Sequence, residues 1–192
     1  MALRRRGFVS VGAVVACCAL VVACTPEQPA STPSPMPAST TPTESQIERQ
    51  MRFDYEAAEK AYRANMAEQD RQSQLGVAEK TQALTSTATG NYLRFVLQVL
   101  RDIRDSDWRA KGITTIRGVA PNGWQENQLQ LKVCEDNSAV KFTDKKGRDV
   151  TPKNVARTYV QDLTVSRVEG RWKVSEVESR AAKTYEGVSC AA

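Results

Sequence analysis

The hydrophobic pattern of this chain changes its period once, near residue 112, and this change limits the folds that the chain can adopt. Before that point the apolar residues recur every three or four positions, which is typical of helices that bury one face. After it they alternate with polar residues, which is typical of antiparallel strands. Helices first and a meander of strands afterwards predict an α+β fold, with N-terminal helices packed on a curved antiparallel sheet.

Three helices are predicted in the first half of the domain. The first begins at a capping box formed by Ser45 and Glu48. A second, weaker helix covers 77–84. A third helix follows Gly90 and carries enough apolar residues to be buried on most sides. The first helix has one apolar stripe, formed by Ile47, Met51, Tyr55, Ala58, Tyr62 and Met66.

Five strands are predicted after the helices, over 113–120, 128–133, 139–143, 155–168 and 171–177. A turn is expected at 121–123, where proline, asparagine and glycine follow one another, and a two-residue hairpin loop at Glu169-Gly170. In the register that this hairpin sets, Arg167 faces Trp172 across the two strands, which allows a cation–π contact.

The N-terminus has the composition of an export signal. Three arginines precede an apolar stretch from 8 to 23, which ends in Val-Val-Ala-Cys with the cysteine at position 24. This ending resembles a bacterial lipobox, in which the cysteine becomes the lipidated first residue of the mature protein. The stretch is short for a membrane-spanning helix, and a plain secretory signal cleaved near Ala23 is the alternative. We expect acylation of Cys24 and a lipid anchor on the extracytoplasmic face of the cell membrane.

The expected organisation has three parts. Residues 1–23 form a lipoprotein signal peptide, residues 24–45 form the lipidated cysteine and a linker rich in Pro, Ser and Thr, and residues 46–192 form the α+β domain. Without residues 1–23 the chain keeps 24 basic and 22 acidic residues, a net charge of +2. Because basic and acidic residues are interleaved, nucleic acid is not an expected partner.

Several short motifs accompany this order of elements. They are Tyr55 and Tyr62 on the first helix, Thr89-Gly90-Asn91-Tyr92 before the third, Lys111-Gly112 before the first strand, and the segments 133–138 and 170–174. Together they resemble exported lipoproteins of actinobacteria, and of their phages or prophages, that carry a nuclear-transport-factor-two-like domain. The resemblance implies a cone of helices around a curved sheet, often with an internal pocket. It implies no particular activity, because this fold hosts enzymes, transport factors and scaffolds alike.

Two cysteines remain after removal of the signal peptide and acylation of Cys24. An even pair in an exported chain indicates a disulfide, so Cys134 and Cys190 are predicted to be joined. Strand parity places Cys134 on the outer face of the sheet, within reach of a C-terminal tail. Two thiols without any histidine do not supply the four ligands of a structural metal site, so neither a metal nor another cofactor is expected.

The absence of histidine excludes the Ser-His-Asp and Cys-His arrangements of nucleophilic catalysis. A carboxylate facing a tyrosine remains, as in enzymes of the resembled fold that move protons. The candidates to line an internal pocket are Tyr55, Tyr62, Tyr92 and Trp172, and the candidate carboxylates are Asp54, Asp102 and Asp162. Tyrosines on a helix stripe are more often core residues. Asp54 and Asp102 stand beside arginines, which predicts a solvated surface for both.

These observations predict a membrane-anchored, non-enzymatic binding or accessory module. One alternative is a small-ligand carrier or an accessory protein of an envelope transport complex, whose partner is an envelope protein or a small apolar ligand. A second alternative is a prophage-encoded lipoprotein that excludes superinfecting phage. The third is an acid–base isomerase or dehydratase that uses the pocket.

Overall fold

A computed structural model describes residues 44–153 and 156–181, all within one compact unit of the chain. Three helices precede six strands in sequence. The helices are α1 (Gln46–Leu75), α2 (Gln82–Thr87) and α3 (Gly90–Asp105). The strands are β1 (Arg109–Lys111), β2 (Thr115–Gln125), β3 (Gln128–Asp136), β4 (Lys141–Thr143), β5 (Thr158–Val168) and β6 (Arg171–Ala181).

The long helix α1 has a capping box at its N-terminus and a glycine cap at its C-terminus. The Ser45 side chain accepts a hydrogen bond from the Glu48 backbone N–H, and the Glu48 carboxylate accepts one from the Ser45 backbone N–H. This confirms the predicted capping box. The helix stops at Gly76, whose left-handed backbone (φ 64°) favours glycine. The predicted apolar stripe is shorter than expected at its start, because Ile47 is 65% exposed.

The two shorter helices differ from their predictions. Helix α2 starts later than expected, at Gln82, because the Thr81 side chain accepts a hydrogen bond from the Leu84 backbone N–H and caps it there. Helix α3 is not buried on most sides. It is amphipathic, with four residues in the core and an outer face on which Phe95 is 52% and Val99 37% exposed.

The strands form a four-stranded antiparallel sheet in the order β2-β3-β5-β6 and a separate antiparallel pair, β1 with β4. Strand β5 lies between β3 and β6, which agrees with its apolar residues on both faces. Register shifts interrupt β2 and the β5–β6 pair, and such irregularities bend a sheet. The predicted α+β class, with helices packed on a curved antiparallel sheet, is confirmed.

The turn predicted at 121–123 is wrong. Strand β2 continues through this segment to Gln125, and the chain reverses at Glu126-Asn127 instead. The register shifts between Pro121 and Gly123, so the proline and glycine mark a bulge within the strand. Asn122 is the extra residue, and Pro121 beside it is accommodated because proline within sheets occurs at bulges and on edge strands such as β2.

The β5–β6 hairpin follows its prediction closely. Glu169 and Gly170 both have positive φ, 53° and 73°, as a two-residue turn of type I′ requires. Arg167 pairs with Trp172 in the register, and its guanidinium carbon lies 4.9 Å from the centre of the indole ring. The predicted cation–π contact is therefore present.

The core lies between the helices and the inner face of the four-stranded sheet. Its fully buried residues come from α1, α2, α3 and the strands β3, β5 and β6; they include Ala58, Tyr62, Leu84, Val96, Leu100, Leu129, Leu131, Val133, Leu163, Val165 and Val174. Outside this core, the half-buried Trp108 packs against Phe142, with the ring centres 5.9 Å apart.

Candidate functional site

A buried carboxylate on α1 is the polar centre of the structure. Asp54 is only 3% exposed and accepts hydrogen bonds from four side chains. Its Oδ1 accepts from Trp172 Nε1 at 3.1 Å, Arg167 Nη2 at 2.9 Å and Gln50 Nε2 at 3.0 Å. Its Oδ2 accepts from Trp124 Nε1 at 3.1 Å. We call Asp54, Arg167, Trp124 and Trp172 the Asp54 cluster, which ties α1 to β2, β5 and β6.

The position of Asp54 corrects the sequence prediction that it is solvated. It stands four residues before Ala58 and eight before Tyr62, so helical periodicity places all three on the buried face of α1. A buried carboxylate needs hydrogen bonds and an opposite charge. Two indole N–H groups and the Arg167 guanidinium supply them. Both carboxylate oxygens of Asp54 are thus bonded to donors that belong to the fold.

The hairpin sequence explains how Arg167 and Trp172 reach Asp54. The tight turn at Glu169-Gly170 places the two side chains opposite each other on one face of the sheet, where the arginine lies over the indole ring. Each then donates to the same carboxylate oxygen. Arg167 retains 34% of its side-chain exposure, so this cluster extends from the core to the surface.

An open groove of about 740 Å³ lies where the Asp54 cluster meets solvent. One wall is α1 and the other is the β5–β6 hairpin, with the end of α2 between them. Ala57, Ala61 and Ala64, at helical spacing, form an apolar strip along it. Lys60 and Arg171 stand at its sides, and neither makes an ion pair within the described part of the chain. The groove therefore combines small apolar side chains with positive charge.

The tyrosines predicted as pocket residues lie in or against the core. Tyr62 is 1% and Tyr92 4% exposed, and both belong to the buried cluster, while Tyr55 packs against it. The Tyr92 hydroxyl accepts a hydrogen bond from Gln69 Nε2 at 3.1 Å, and burial raises the pKa of Tyr92. The fourth candidate, Trp172, lines the groove and belongs to the Asp54 cluster.

The Tyr62 hydroxyl is exceptional among the buried polar groups. It is the one buried side-chain oxygen or nitrogen that has no hydrogen-bond partner within residues 44–153 and 156–181. The polar residues elsewhere on the buried face of α1 are bonded. For example, Asn65 Nδ2 donates to Thr87 Oγ1 at 2.9 Å, and Gln72 Nε2 to the Glu79 carbonyl at 3.0 Å.

A second buried carboxylate lies at the end of β3. Glu135 is 5% exposed, and burial raises its pKa, although a hydrogen bond from Gln161 Nε2 at 3.0 Å opposes the shift. Its cross-strand neighbours are Ile116 and Tyr159. Neither Glu135 nor its neighbours line the groove beside Asp54. Of the other two candidate carboxylates, Asp102 is exposed on α3, as predicted, and accepts a hydrogen bond from Gln98 Nε2 at 2.7 Å, while Asp162 lies on β5 opposite Lys132 and Glu178.

The predicted modification sites fall only partly within the described residues. Cys24 and Cys190 lie outside them. Cys134 is disulfide-bonded and fully buried on the strand face predicted for it, opposite Val160 of β5. Its pairing with Cys190 stays a prediction.

The described ranges, 44–153 and 156–181, contain no group of three or more Cys, Asp or Glu side chains placed to hold a metal ion. They also contain no helix that is both long and apolar enough to cross a membrane.

Solved structures share this fold at low sequence identity. A candidate aromatic ring hydroxylase from Novosphingobium aromaticivorans aligns with a TM-score of 0.50 at 12% identity, over 69% of this chain and 91% of that one. A candidate dehydratase of the nuclear-transport-factor-two-like family from Streptomyces avermitilis aligns with a TM-score of 0.43 at 13% identity, over 70% and 99%. The intermembrane space region of the chloroplast protein ARC6 aligns with a TM-score of 0.46 at 14% identity, over 67% of this chain and 98% of that one.

The likeness to the Novosphingobium aromaticivorans structure, at 12% identity, shows the fold alone, which is helices packed on a curved antiparallel sheet. No protein-family model matches the chain, and no curated protein matches it significantly. Whatever this chain does must therefore be argued from its own residues.

Sequence reasoning missed the Asp54 cluster, although a signal for it was present. Asp54 interrupts the apolar face of α1 at a stripe position, and a charged residue there needs a buried partner. Arg167 was already placed beside Trp172 by the hairpin register. The pattern could not show that α1 contacts the β5–β6 hairpin, because Asp54 is more than 100 residues away from Arg167 and Trp172 in the sequence.

Proposed function

We propose that this chain is an exported lipoprotein of an actinobacterium or its prophage, acylated on Cys24, with a non-enzymatic binding module outside the cytoplasmic membrane. The support for the anchor is the leader itself. A basic start, a short apolar stretch and a cysteine directly after small residues match the requirements of lipoprotein processing. The linker behind Cys24 stands the domain off the membrane.

The observation that carries the binding role is that all four hydrogen-bond donors of Asp54 belong to the fold itself. A general base must reach its substrate, whereas Asp54 is 3% exposed and both of its oxygens accept hydrogen bonds from indole and guanidinium donors. The carboxylate then serves to hold the hairpin against α1. This role keeps the walls of the groove at a fixed separation and prepares it for a partner.

The groove favours a polypeptide over a small ligand. Small-molecule sites usually enclose most of their ligand, whereas this groove is open along one side and its floor is a strip of alanines. Lys60 and Arg171 flank that strip and would pair with carboxylates. We infer that the partner is a segment of an envelope protein that places small apolar side chains on the strip and acidic residues beside the two cations.

Anchoring is tested at Cys24. Cells that express the full chain and receive an alkyne fatty acid should give a labelled protein, because the acyl chains attach to the sulfur and amino group of this cysteine. Cys24→Ala should remove the label completely. Cys134→Ala, which leaves the lipobox intact, is the matched control and should keep it. An unlabelled wild-type chain contradicts the lipoprotein proposal.

Recognition in the groove is tested by crosslinking in the same cells. A photoreactive phenylalanine analogue at Ala61 should give a discrete protein adduct, whereas the same group at Phe95, on the exposed face of α3, should not. Lys60→Glu with Arg171→Glu should reduce the Ala61 adduct at least ten-fold, since each reversal turns an attraction for carboxylates into a repulsion. Lys80→Glu with Arg94→Glu, outside the groove, should leave it unchanged. Equal crosslinking at Ala61 and Phe95 contradicts the assignment.

A further inference from the structure

The small β1–β4 sheet carries positive charge on one face. The register places Lys111 directly opposite Lys141, and Arg109 opposite Thr143. The residues between them, Ala110 and Phe142, alternate to the other face, where Ala110 is buried. Arg109, Lys111 and Lys141 are all exposed. We call these three residues the cationic face.

The charges of the cationic face are only partly compensated among the described residues: Lys141 interacts electrostatically with Asp149, and the Arg109 guanidinium lies beside Gly76 at the C-terminal end of α1. Like charges directly across an antiparallel pair repel each other. No ion pair is found for these three residues among the described residues, whereas their neighbours Lys145 and Arg148 pair with Asp107 and Asp144. A repulsive lysine pair without an ion pair of its own among the described residues points to an anionic partner.

The whole of this end of the domain is basic. Segments 104–111 and 141–153 contain eight Lys and Arg against four Asp, a surplus of four positive charges. The chain from Cys24 onwards carries a net charge of only +2, so the remaining segments are net negative by two. The cations therefore gather at one end of the fold, although the sequence as a whole interleaves both signs.

Exposed aliphatic side chains lie at the same end. Ile113, two residues after Lys111, is 60% exposed, and Leu75, the last residue of α1, is 50% exposed. Gln74 Nε2 donates to the Gly112 carbonyl at 2.9 Å, which holds the end of α1 against the chain between Lys111 and Ile113. Cations beside exposed aliphatic groups suit the boundary between lipid headgroups and acyl chains.

We propose that the cationic face, with Ile113 and Leu75, docks on the surface of an anionic phospholipid membrane. Lipid is favoured over nucleic acid because exposed Ile and Leu gain nothing beside a phosphodiester backbone, which instead selects aromatic and arginine stacking. The inference rests on the proposed anchor only for bringing the domain to a membrane. Helix α1 is ~45 Å long, and the 21 residues from 25 to 45 reach ~70 Å when extended. The tether therefore allows the far end of α1 to meet the lipid.

The test is vesicle binding of the full chain carrying Cys24→Ala, which cannot be acylated. Vesicles of phosphatidylcholine alone are compared with vesicles containing 30% phosphatidylglycerol. Lys111→Gln with Lys141→Gln should lower the affinity for the anionic vesicles about 25-fold, since each cation near such a surface contributes about five-fold. Binding to neutral vesicles should not change, because the apolar N-terminal segment is common to all variants. Raising the salt concentration should weaken only the anionic component.

Lys80→Gln with Arg94→Gln removes two exposed cations elsewhere and should change the affinity less than three-fold. Ile113→Ser should weaken binding to anionic vesicles while leaving the melting curve unchanged. The proposal is overturned if the control pair loses as much affinity as the lysine pair, or if the wild type binds both vesicle types equally. It is also overturned if the chain binds duplex DNA more tightly than vesicles, with the same dependence on Lys111 and Lys141. Because no variant here is acylated, a failure to label Cys24 in cells leaves this result unaffected.

Discussion

Asp54→Ala should destabilise the domain by about 3 kcal/mol, because it removes the buried acceptor that three donors share. The Arg167 guanidinium and the Trp124 and Trp172 indole N–H groups would all lose their partner. Breaking a buried ion pair from one side usually costs 3–5 kcal/mol. We expect a loss of stability near the lower end of this range, since the Arg167 side chain is 34% exposed and can be partly hydrated when the carboxylate is removed. In a domain of this size the melting temperature should fall by ~10 °C.

The matched control is Glu56→Ala on the same helix. Its carboxylate is 62% exposed and pairs only with the exposed Arg52, so the loss should stay below about 1 kcal/mol. Chemical denaturation of both variants gives the comparison directly. Trp124→Phe, which removes one donor and keeps an aromatic ring, should fall between the two. If Asp54→Ala unfolds at the same denaturant concentration as Glu56→Ala, the Asp54 cluster does not stabilise the protein.

Tyr62→Ala should cost about 3–5 kcal/mol, whereas Tyr62→Phe should cost nothing or stabilise slightly. The ring is 1% exposed in the main core, so its truncation leaves a cavity that the neighbours cannot fill. The hydroxyl is buried without a partner among the described residues, so removing it eliminates a desolvated polar group. Thermal melting of the two variants should therefore separate them by more than 10 °C.

Tyr92→Phe is the comparison that identifies the role of the hydroxyl. Tyr92 is equally buried, but its hydroxyl accepts a hydrogen bond from Gln69. Removal of this hydrogen bond by Tyr92→Phe should lower the free energy of unfolding by about 1 kcal/mol. A Tyr62→Phe variant that is less stable than Tyr92→Phe would show that the Tyr62 hydroxyl has a partner in solution. A stable Tyr62→Phe variant that no longer gives the Ala61 adduct would instead assign the hydroxyl to recognition.

Elements set by neighbouring residues were predictable from the sequence. The capping box at Ser45 and Glu48 and the hairpin turn at Glu169-Gly170 depend on side-chain and backbone chemistry within a few positions, and both form as expected. The pairing of Arg167 with Trp172 follows from the same short turn. The change of hydrophobic period likewise determined the α+β class, because burial of one face is a property of each helix or strand.

Features that depend on distant segments were decided only by the tertiary structure. Pro121 and Gly123 indicate a turn locally, but pairing with β3 extends β2 through them as a bulge. Asp54 looks solvated beside Arg52, yet it is buried because β2, β5 and β6 bring donors to it from 70 to 118 residues away. Lys111 and Lys141 meet because their strands pair across 30 residues of chain. A sequence pattern indicates which residues are apolar enough to be buried and which carry charge. Long-range packing determines which of them come into contact, and in this protein those contacts form the groove and the cationic face.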